Sequence, residues 1–221
     1  MKNKLLGLTS TFILGAVLAA PAGATVIDFT GGTVTTSGNA TYVTNGTSLY
    51  EAKQYEESGF RLTMDGTGTT VGVYYNNDDV LHAHPSTGAI GTLSIIRGAK
   101  SDGSAFQLDQ LTVTSDTANG GGAASGTEQA WLHASIDGVT SSFSLLLPPE
   151  SWGFPGTDVI LGKEFDNIKA FWITFANDVD CIGLDNIMFS QAVLENDVPE
   201  PGSVALLGFG IAGLLISRRK R

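Results

Sequence analysis

Cysteine, proline and basic side chains are scarce in this chain. There is one Cys and 7 Pro among 221 residues, and charged residues make up only 15%. A single cysteine, Cys181, excludes an internal disulfide. In the apolar run Cys181-Ile182-Gly183-Leu184 it reads as a small buried hydrophobe. Of the 12 basic residues, Lys2 and Lys4 lie at one end and Arg218, Arg219, Lys220 and Arg221 at the other. Residues 25–199 therefore hold 6 basic against 21 acidic side chains, a net charge of −15. Nothing there would neutralise phosphates, which excludes nucleic acid as a partner. The acidic surface suits solubility outside the cell and the holding of divalent cations. Catalytic signatures are missing as well: there is no GxSxG, no HExxH, no DxDxDG loop and no Gly-rich phosphate loop before a helix. The carboxylates are numerous, but no spacing selects a glycosidase pair.

Long hydrophobic runs occur only at the two ends, and helical periodicity is absent between them. What is present is 28 Gly, frequent Ser and Thr, and 42% hydrophobic residues. Segments 26–30, 59–64, 71–75, 90–97, 106–114, 131–137, 142–147, 168–176 and 181–190 are rich in β-branched and aromatic residues. Gly, Asn, Asp or Ser bounds them, as strands require. About nine to eleven strands at this spacing predict an all-β domain over residues 25–195, a β-sandwich of jelly-roll type. No internal repeat is visible.

The ends read as addresses. Lys2 and Lys4 precede an uncharged apolar stretch, residues 5–20; Pro21 then breaks any helix, and Ala22-Gly23-Ala24 offers the small–x–small pattern of signal peptidase. Residues 1–24 are expected to be a signal peptide cut after Ala24. At the other end, residues 196–221 contain Pro199-Glu200-Pro201, an apolar run over 204–216, and the cluster Arg218-Arg219-Lys220-Arg221. A helix over 203–217 would reach about 22 Å at 1.5 Å per residue, short of a hydrocarbon core about 30 Å thick. Such a transmembrane helix needs snorkelling ends, with the basic stop held in the cytoplasm and the domain outside.

The Pro-Glu-Pro triplet, the short Gly/Leu-rich helix and the basic terminus, in that order, resemble the PEP-CTERM sorting signal. The resemblance implies transient anchoring in the inner membrane of a Gram-negative bacterium and cleavage near Pro199-Glu200-Pro201 by exosortase. It further implies delivery to the cell surface or extracellular matrix. Pro199 and Pro201 keep the segment extended for a protease cleft. A second resemblance is more diffuse. Tyr55-Glu56-Glu57-Ser58-Gly59-Phe60, Gly103-Ser104-Ala105-Phe106-Gln107-Leu108 and Gly183-Leu184-Asp185-Asn186-Ile187 are similar to sandwich domains of PEP-CTERM proteins, which look like lectin or carbohydrate-binding modules. In such modules an Asp of the final strand joins an acid of the first at a structural calcium; Asp185 and Asp28 are the matching pair. The alternative for Asp185 is a hydrogen bond to a nearby turn.

Alternation places Leu132, Ala134 and Ile136 on one face and Trp131 and His133 on the other. It likewise separates Phe171, Ile173 and Phe175 from Trp172 and Thr174, and puts Asp185 on the face of Ile187 and Phe189. An exposed Trp131 is a platform for a sugar ring; packing under a second layer is the preferred alternative. Trp152, in the loop-like segment 148–156, is a ligand contact or a pin for its loop, the pin being preferred. His82 and His84 point the same way on a strand, but a metal site needs further ligands, His133 is the sole remaining histidine, and a solvated face or turn is preferred for 78–84. The expected function is a non-catalytic, exported surface or matrix protein whose sandwich binds extracellular polysaccharide. The alternatives are a secreted polymer-acting hydrolase and a structural matrix protein without a specific ligand.

Overall fold

The structure, a computed structural model, describes residues 23–74, 77–84, 95–114, 129–148, 156–176, 179 and 181–192. Within them the chain forms fifteen strands, a short 3-10 turn at Lys163–Phe165, and no α-helix. The strands are β1 Thr25–Ile27, β2 Thr33–Thr35, β3 Thr41–Val43, β4 Leu49–Glu51, β5 Gln54–Glu57, β6 Phe60–Asp65, β7 Thr69–Val73 and β8 Asp79–Ala83. They continue as β9 Ile95–Lys100, β10 Phe106–Thr114, β11 Gln129–Ser135, β12 Phe143–Leu146, β13 Thr157–Ile160, β14 Ala170–Ala176 and β15 Ile182–Gln191.

Two antiparallel sheets result. One has seven strands in the order β13-β10-β15-β8-β7-β4, with β1 added beside β15; the other has eight, in the order β12-β11-β14-β9-β6-β5-β2-β3. Hairpins β5–β6, β7–β8 and β11–β12 stay within a sheet, whereas β6 to β7, β8 to β9, β9 to β10 and β14 to β15 change sheets. The β5–β6 hairpin turns on Ser58 and Gly59, both at positive φ (51° and 77°), the two-residue loop whose twist matches its strands. This is the physical content of the Tyr-Glu-x-x-Gly-Phe segment.

The sheets share one core. Phe60 of β6 packs edge-on against Phe106 of β10 (5.1 Å), against Phe189 of β15 (4.8 Å) and in a stack with Phe171 of β14 (5.9 Å). All four rings are buried. Burying a Phe is worth about 1.5–3 kcal/mol, and each well-placed ring pair adds roughly 0.5–1.5 kcal/mol. Gly98 of β9 lies opposite Phe171. A Cβ there would meet the Phe171 ring at 2.5 Å and Phe60 at 2.9 Å, so the stack requires glycine.

Strict alternation fails at one place. In β10, Phe106 and Leu108 enter the core, then Leu111 and Val113; in β15, Ile182 and Leu184 enter it, then Ile187 and Phe189. The register shows why: Leu108 faces Phe189, Gln110 faces Met188 and Thr112 faces Asp185. One extra residue is inserted in β10 near Asp109 and one in β15 at Asn186, whose φ is +43°. Each β-bulge reverses the facing of its strand. Asp185 thus lies opposite to Ile187 and Phe189, not beside them as alternation predicted. The facing of β11 and β14 follows the expectation at Leu132, Ala134, Phe171 and Ile173, which are in the core, and at Trp131, His133, Trp172 and Thr174, which are half-buried on the other side. Ile136, expected beside Leu132 and Ala134, is instead exposed, because β11 ends at Ser135 and the chain bends away from the sheet there.

The end strands are the short ones. The outermost strands β3 and β4 have three residues each and β12 and β13 four each, against nine and ten for β10 and β15. Tyr42 of β3 stacks on Tyr50 of β4 at 5.2 Å, tying the end of one sheet to the end of the other. Truncating the central ring, Phe60→Ala, is expected to destabilise the chain by about 3–5 kcal/mol. Val139→Ser, at a position 77% exposed, should stay within about 0.5 kcal/mol. Denaturant melts of the full chain would decide; equal midpoints for the two variants would refute the placement of the core.

Candidate functional site

Three constellations lie outside the core. The first covers the outer face of the eight-stranded sheet. Cross-strand pairing aligns His133 of β11, Trp172 of β14, Arg97 of β9 and Thr63 of β6 in one row, with Trp131 and Thr174 beside it. His133 stacks on Trp172 (5.7 Å, 24°) and the Arg97 guanidinium lies over the same indole at 5.5 Å. Arg97 also donates to the Gly138 carbonyl. His133 is held at both nitrogens, Nδ1 to Ser144 Oγ (2.7 Å) and Nε2 to Thr174 Oγ1 (2.8 Å), and partial burial pushes its pKa down. Trp172 is therefore clamped, whereas Trp131 has no aromatic or cationic partner among the described residues. Next to this row Arg61, Thr63, Arg97, Ala99 and Lys100 line an open groove of about 220 Å³. Arg61 pairs with Glu56 at the surface. Three of the 6 basic residues in 25–199 thus converge on one groove of a domain carrying −15.

The second constellation is acidic. Along one edge of β15, β8 pairs with residues 182–184 and β1 with 187–189. The bulge residues Asp185 and Asn186 fill the step between them. Asp28 follows β1 and Asp79 opens β8, so the topology brings both to Asp185; Asp28, Asp78 and Asp79 all repel its charge. Asp28 and Asp185, paired from the sequence, are brought within electrostatic reach. Phe29, buried and at a φ of +61°, turns the chain so that its N–H donates to Glu57 Oε2 (3.1 Å), which also accepts from the Tyr55 hydroxyl (2.8 Å). Such a φ is strained for a bulky residue. Burial pushes the pKa of Asp185 up to about 7, helped by Asp78, Asp28 and Asp79; burial and Asp28 do the same to Glu57, also to about 7. Asp185 accepts from the Asn186 N–H (2.7 Å) and Nδ2 (2.8 Å), and Asp79 Oδ2 accepts from Thr30 Oγ1 (3.0 Å). Asp79 Oδ1 is buried without a hydrogen-bond partner. Among the described residues no basic side chain pairs with Asp28, Glu57, Asp79 or Asp185.

The third is a buried nitrogen–sulfur cluster. His82 and His84 do share a face, but that face is covered: they are 2% and 7% exposed. A solvated face or turn was preferred for 78–84; instead β8 is an interior strand between β7 and β15, and its residues from Val80 to Ala83 are buried on both faces. The Nε2 atoms of the two histidines are 2.9 Å apart, and Cys181 Sγ lies 3.4 Å from His82 Nε2. Tyr74 stacks on His82 at 3.8 Å. Burial, then the neighbouring His84, lowers the His82 pKa to about 3. His133, the remaining histidine, stands on the other sheet. The sequence had no signal for Cys181 as a partner, because 99 positions separate it from His82.

Of the remaining sequence-predicted residues, Ala24 is exposed beside β1. Ala22, Trp152, Pro199, Glu200, Pro201 and the tail Arg218, Arg219, Lys220 and Arg221 lie outside the described residues. Among the described residues no helix is long and apolar enough to cross a membrane; the apolar run 204–216 is not among them.

Two antiparallel sheets around one core, followed by a terminal address, are the form of an exported all-β protein. The address is identified directly: residues 197–221 match the family described as the PEP-CTERM protein-sorting motif. The chain carries this motif, which implies processing by exosortase and sorting toward the cell surface. No curated protein matches the chain. Among solved structures, a cleaved adhesin domain of Lys-gingipain from Porphyromonas gingivalis is similar at 14% identity and a TM-score of 0.36, over 66% of this chain and 99% of that one. A likeness that distant carries no assignment.

The acidic junction sets a pH dependence. Asp185 and Glu57 hold their protons more tightly folded than unfolded, so the stability they contribute is present below their ordinary values of 3.8 and 4.5 and is lost as pH rises toward about 7. In calcium-free buffer Asp185→Asn should therefore match wild type at acid pH. It should exceed wild type at neutral pH, by less than the linkage limit of about 4 kcal/mol because solvent screens part of the charge. A stability difference that stays flat between about pH 4 and pH 7.5 would contradict the burial of this charge.

Proposed function

We propose that the chain is a non-catalytic surface or matrix protein whose eight-stranded sheet binds an anionic extracellular polysaccharide. The observation that carries this reading is the groove of Arg61, Arg97 and Lys100 beside an indole row, on a domain otherwise dominated by acids. Guanidinium and ammonium groups recognise carboxylate or sulfate substituents, and Trp131 supplies an apolar face for a pyranose ring. Trp131 and the groove are separated by two to three strand spacings, roughly 10–14 Å, which suits a polymer rather than a single sugar. The two sheets, exchanging strands as described, fit a jelly-roll type sandwich over 25–195. Residues 1–24 serve as the signal peptide removed by signal peptidase. Residues 196–221 anchor the precursor in the inner membrane of a Gram-negative host until exosortase cuts it.

Affinity electrophoresis against anionic and neutral polysaccharides tests the sheet. Retention should be confined to anionic polymers and fall with salt. Arg61→Glu with Lys100→Glu should abolish it, and Trp131→Ala should weaken it about tenfold, or 1.4 kcal/mol. Equal retention of wild type and variants would sink the proposal; no retention on any polymer would leave the protein a structural filler.

Structural calcium at the acidic junction belongs to the same reading. What supports it is donor chemistry alone: Asp28, Asp79 and Asp185 are hard oxygen ligands, and Asp79 Oδ1 is a buried oxygen lacking a partner. Calcium would offset the mutual repulsion of these carboxylates. It should raise the melting temperature, and more at neutral than at acid pH, because protons compete for the same oxygens. Asp185→Asn should lose the response. A melting curve indifferent to calcium at about pH 7.5 would remove the ion.

Sorting is tested in the tail. Replacing Pro199-Glu200-Pro201 by three alanines should leave insertion intact, because the apolar run and basic stop are untouched, and should trap uncut precursor in the membrane fraction. In an exosortase-bearing host the surface form should end near Pro199–Pro201. Mass spectrometry finding residues 204–216 on mature surface protein would show a permanent anchor instead.

A further inference from the structure

We infer that His82, His84 and Cys181 form a site for one thiophilic transition-metal ion, of which zinc(II) is the representative. One ring nitrogen from each of His82 and His84 and the Cys181 Sγ lie within 4.8 Å of one another, and all three residues are buried. The separations of 2.9 Å between the two nitrogens and 3.4 Å between Cys181 Sγ and His82 Nε2 are close to the spacing around tetrahedral zinc. With Zn–N near 2.0–2.1 Å and Zn–S near 2.3 Å, that spacing is about 3.3–3.6 Å. Side-chain adjustments that widen the gap between the two nitrogens and bring Cys181 Sγ and His84 to the same spacing would close the cluster around an ion.

The fold prepares this convergence. β8 and β15 pair antiparallel with Ile182 opposite Ala83 and Gly183 opposite His82. One step further along the same ladder, Cys181 comes level with His84. The three donors therefore stand on two adjacent strands, on the side of the sheet away from the core residues Leu81, Ala83, Ile182 and Leu184. Tyr74, stacked on His82, fixes the ring plane. The donor set also chooses the ion. Imidazole and thiolate select zinc-like metals over calcium or magnesium, whereas the acidic junction around Asp185 has only oxygen donors and selects the reverse. The proposed zinc site is thus chemically distinct from the acidic junction. A buried His–His–Cys hydrogen-bonded cluster is the competing account of the same contacts, and it makes no prediction of metal binding.

The test uses the full chain in detergent, stripped of metal and held in excess calcium so that the acidic junction is occupied. Cobalt(II) should bind one equivalent and develop thiolate-to-metal charge-transfer absorption in the near ultraviolet. Zinc(II) should displace it and protect Cys181 from alkylation. Cys181→Ser and His82→Gln should each lower zinc affinity by more than the roughly 10–100-fold that changes to outer-shell partners cost, and Cys181→Ser should abolish the charge-transfer band. Folded wild-type protein that takes up no cobalt, or takes it up without that band, overturns the site even if every variant misfolds. Equal zinc affinity in wild type and Cys181→Ser overturns it as well.

Discussion

The acidic junction depends on a matched pair of irregularities in two neighbouring strands. β10 and β15 are the longest strands of their sheet and form its centre. A single extra residue in one of them would push half of its apolar side chains into water, because facing alternates with every residue. The insertion near Asp109 in β10 is answered by the insertion at Asn186 in β15, and four core residues of each strand remain buried. In exchange, Asp185 sits on the far side of the sheet from Ile187 and Phe189, where Asp28 and Asp79 reach it. Without the bulge its carboxylate would share the face of the Phe60 cluster, where no oxygen ligand or water is at hand.

The two faces of the molecule differ in what they oppose. The eight-stranded sheet gathers Arg61, Arg97 and Lys100 and packs two of its polar side chains, His133 and Arg97, against one indole. His133 and Arg97 are each held twice, by contact with the indole and by hydrogen bonds. On the seven-stranded sheet, burial and then the like charges of Asp78, Asp28 and Asp79 instead raise the proton affinity of Asp185. The first arrangement is stable as it stands; the second carries a repulsion that a divalent cation or low pH relieves. A protein exported into a calcium-containing medium would meet the first of these remedies only after leaving the cell.

Much of the sandwich was legible in the sequence. The long strands β10, β11, β14 and β15 have dense β-branched and aromatic runs, and the alternation in Trp131–His133 and Phe171–Phe175 predicted their facing. Strands β2, β3 and β4 were not legible: each has three residues in a stretch of Thr, Ser, Gly and Asn that reads as loop, and only pairing with neighbours makes them strands. β8 was mistaken for a polar turn because Asp78, Asp79, His82 and His84 disguise it, although Val80, Leu81 and Ala83 are fully buried. The Asp28–Asp185 pairing was reached through resemblance rather than spacing. The bulge that permits it leaves only Asn186 as a trace, a residue tolerant of positive φ. The Cys181–His82 contact and the Arg61–Arg97–Lys100 groove arise from strand order, which local sequence does not encode.

The shortness of the terminal strands has a consequence for life in a crowded polymer. An unpaired strand edge is a template on which another copy can add by backbone hydrogen bonds, and long flat edges seed fibres. Here the ladder offers three residues at β3 and β4 and four at β12 and β13, and the Tyr42–Tyr50 stack draws two of those edges toward each other. A secreted molecule accumulating at high local density would stay dispersed as separate particles, so its attachments would be made through side chains rather than by sheet-to-sheet growth.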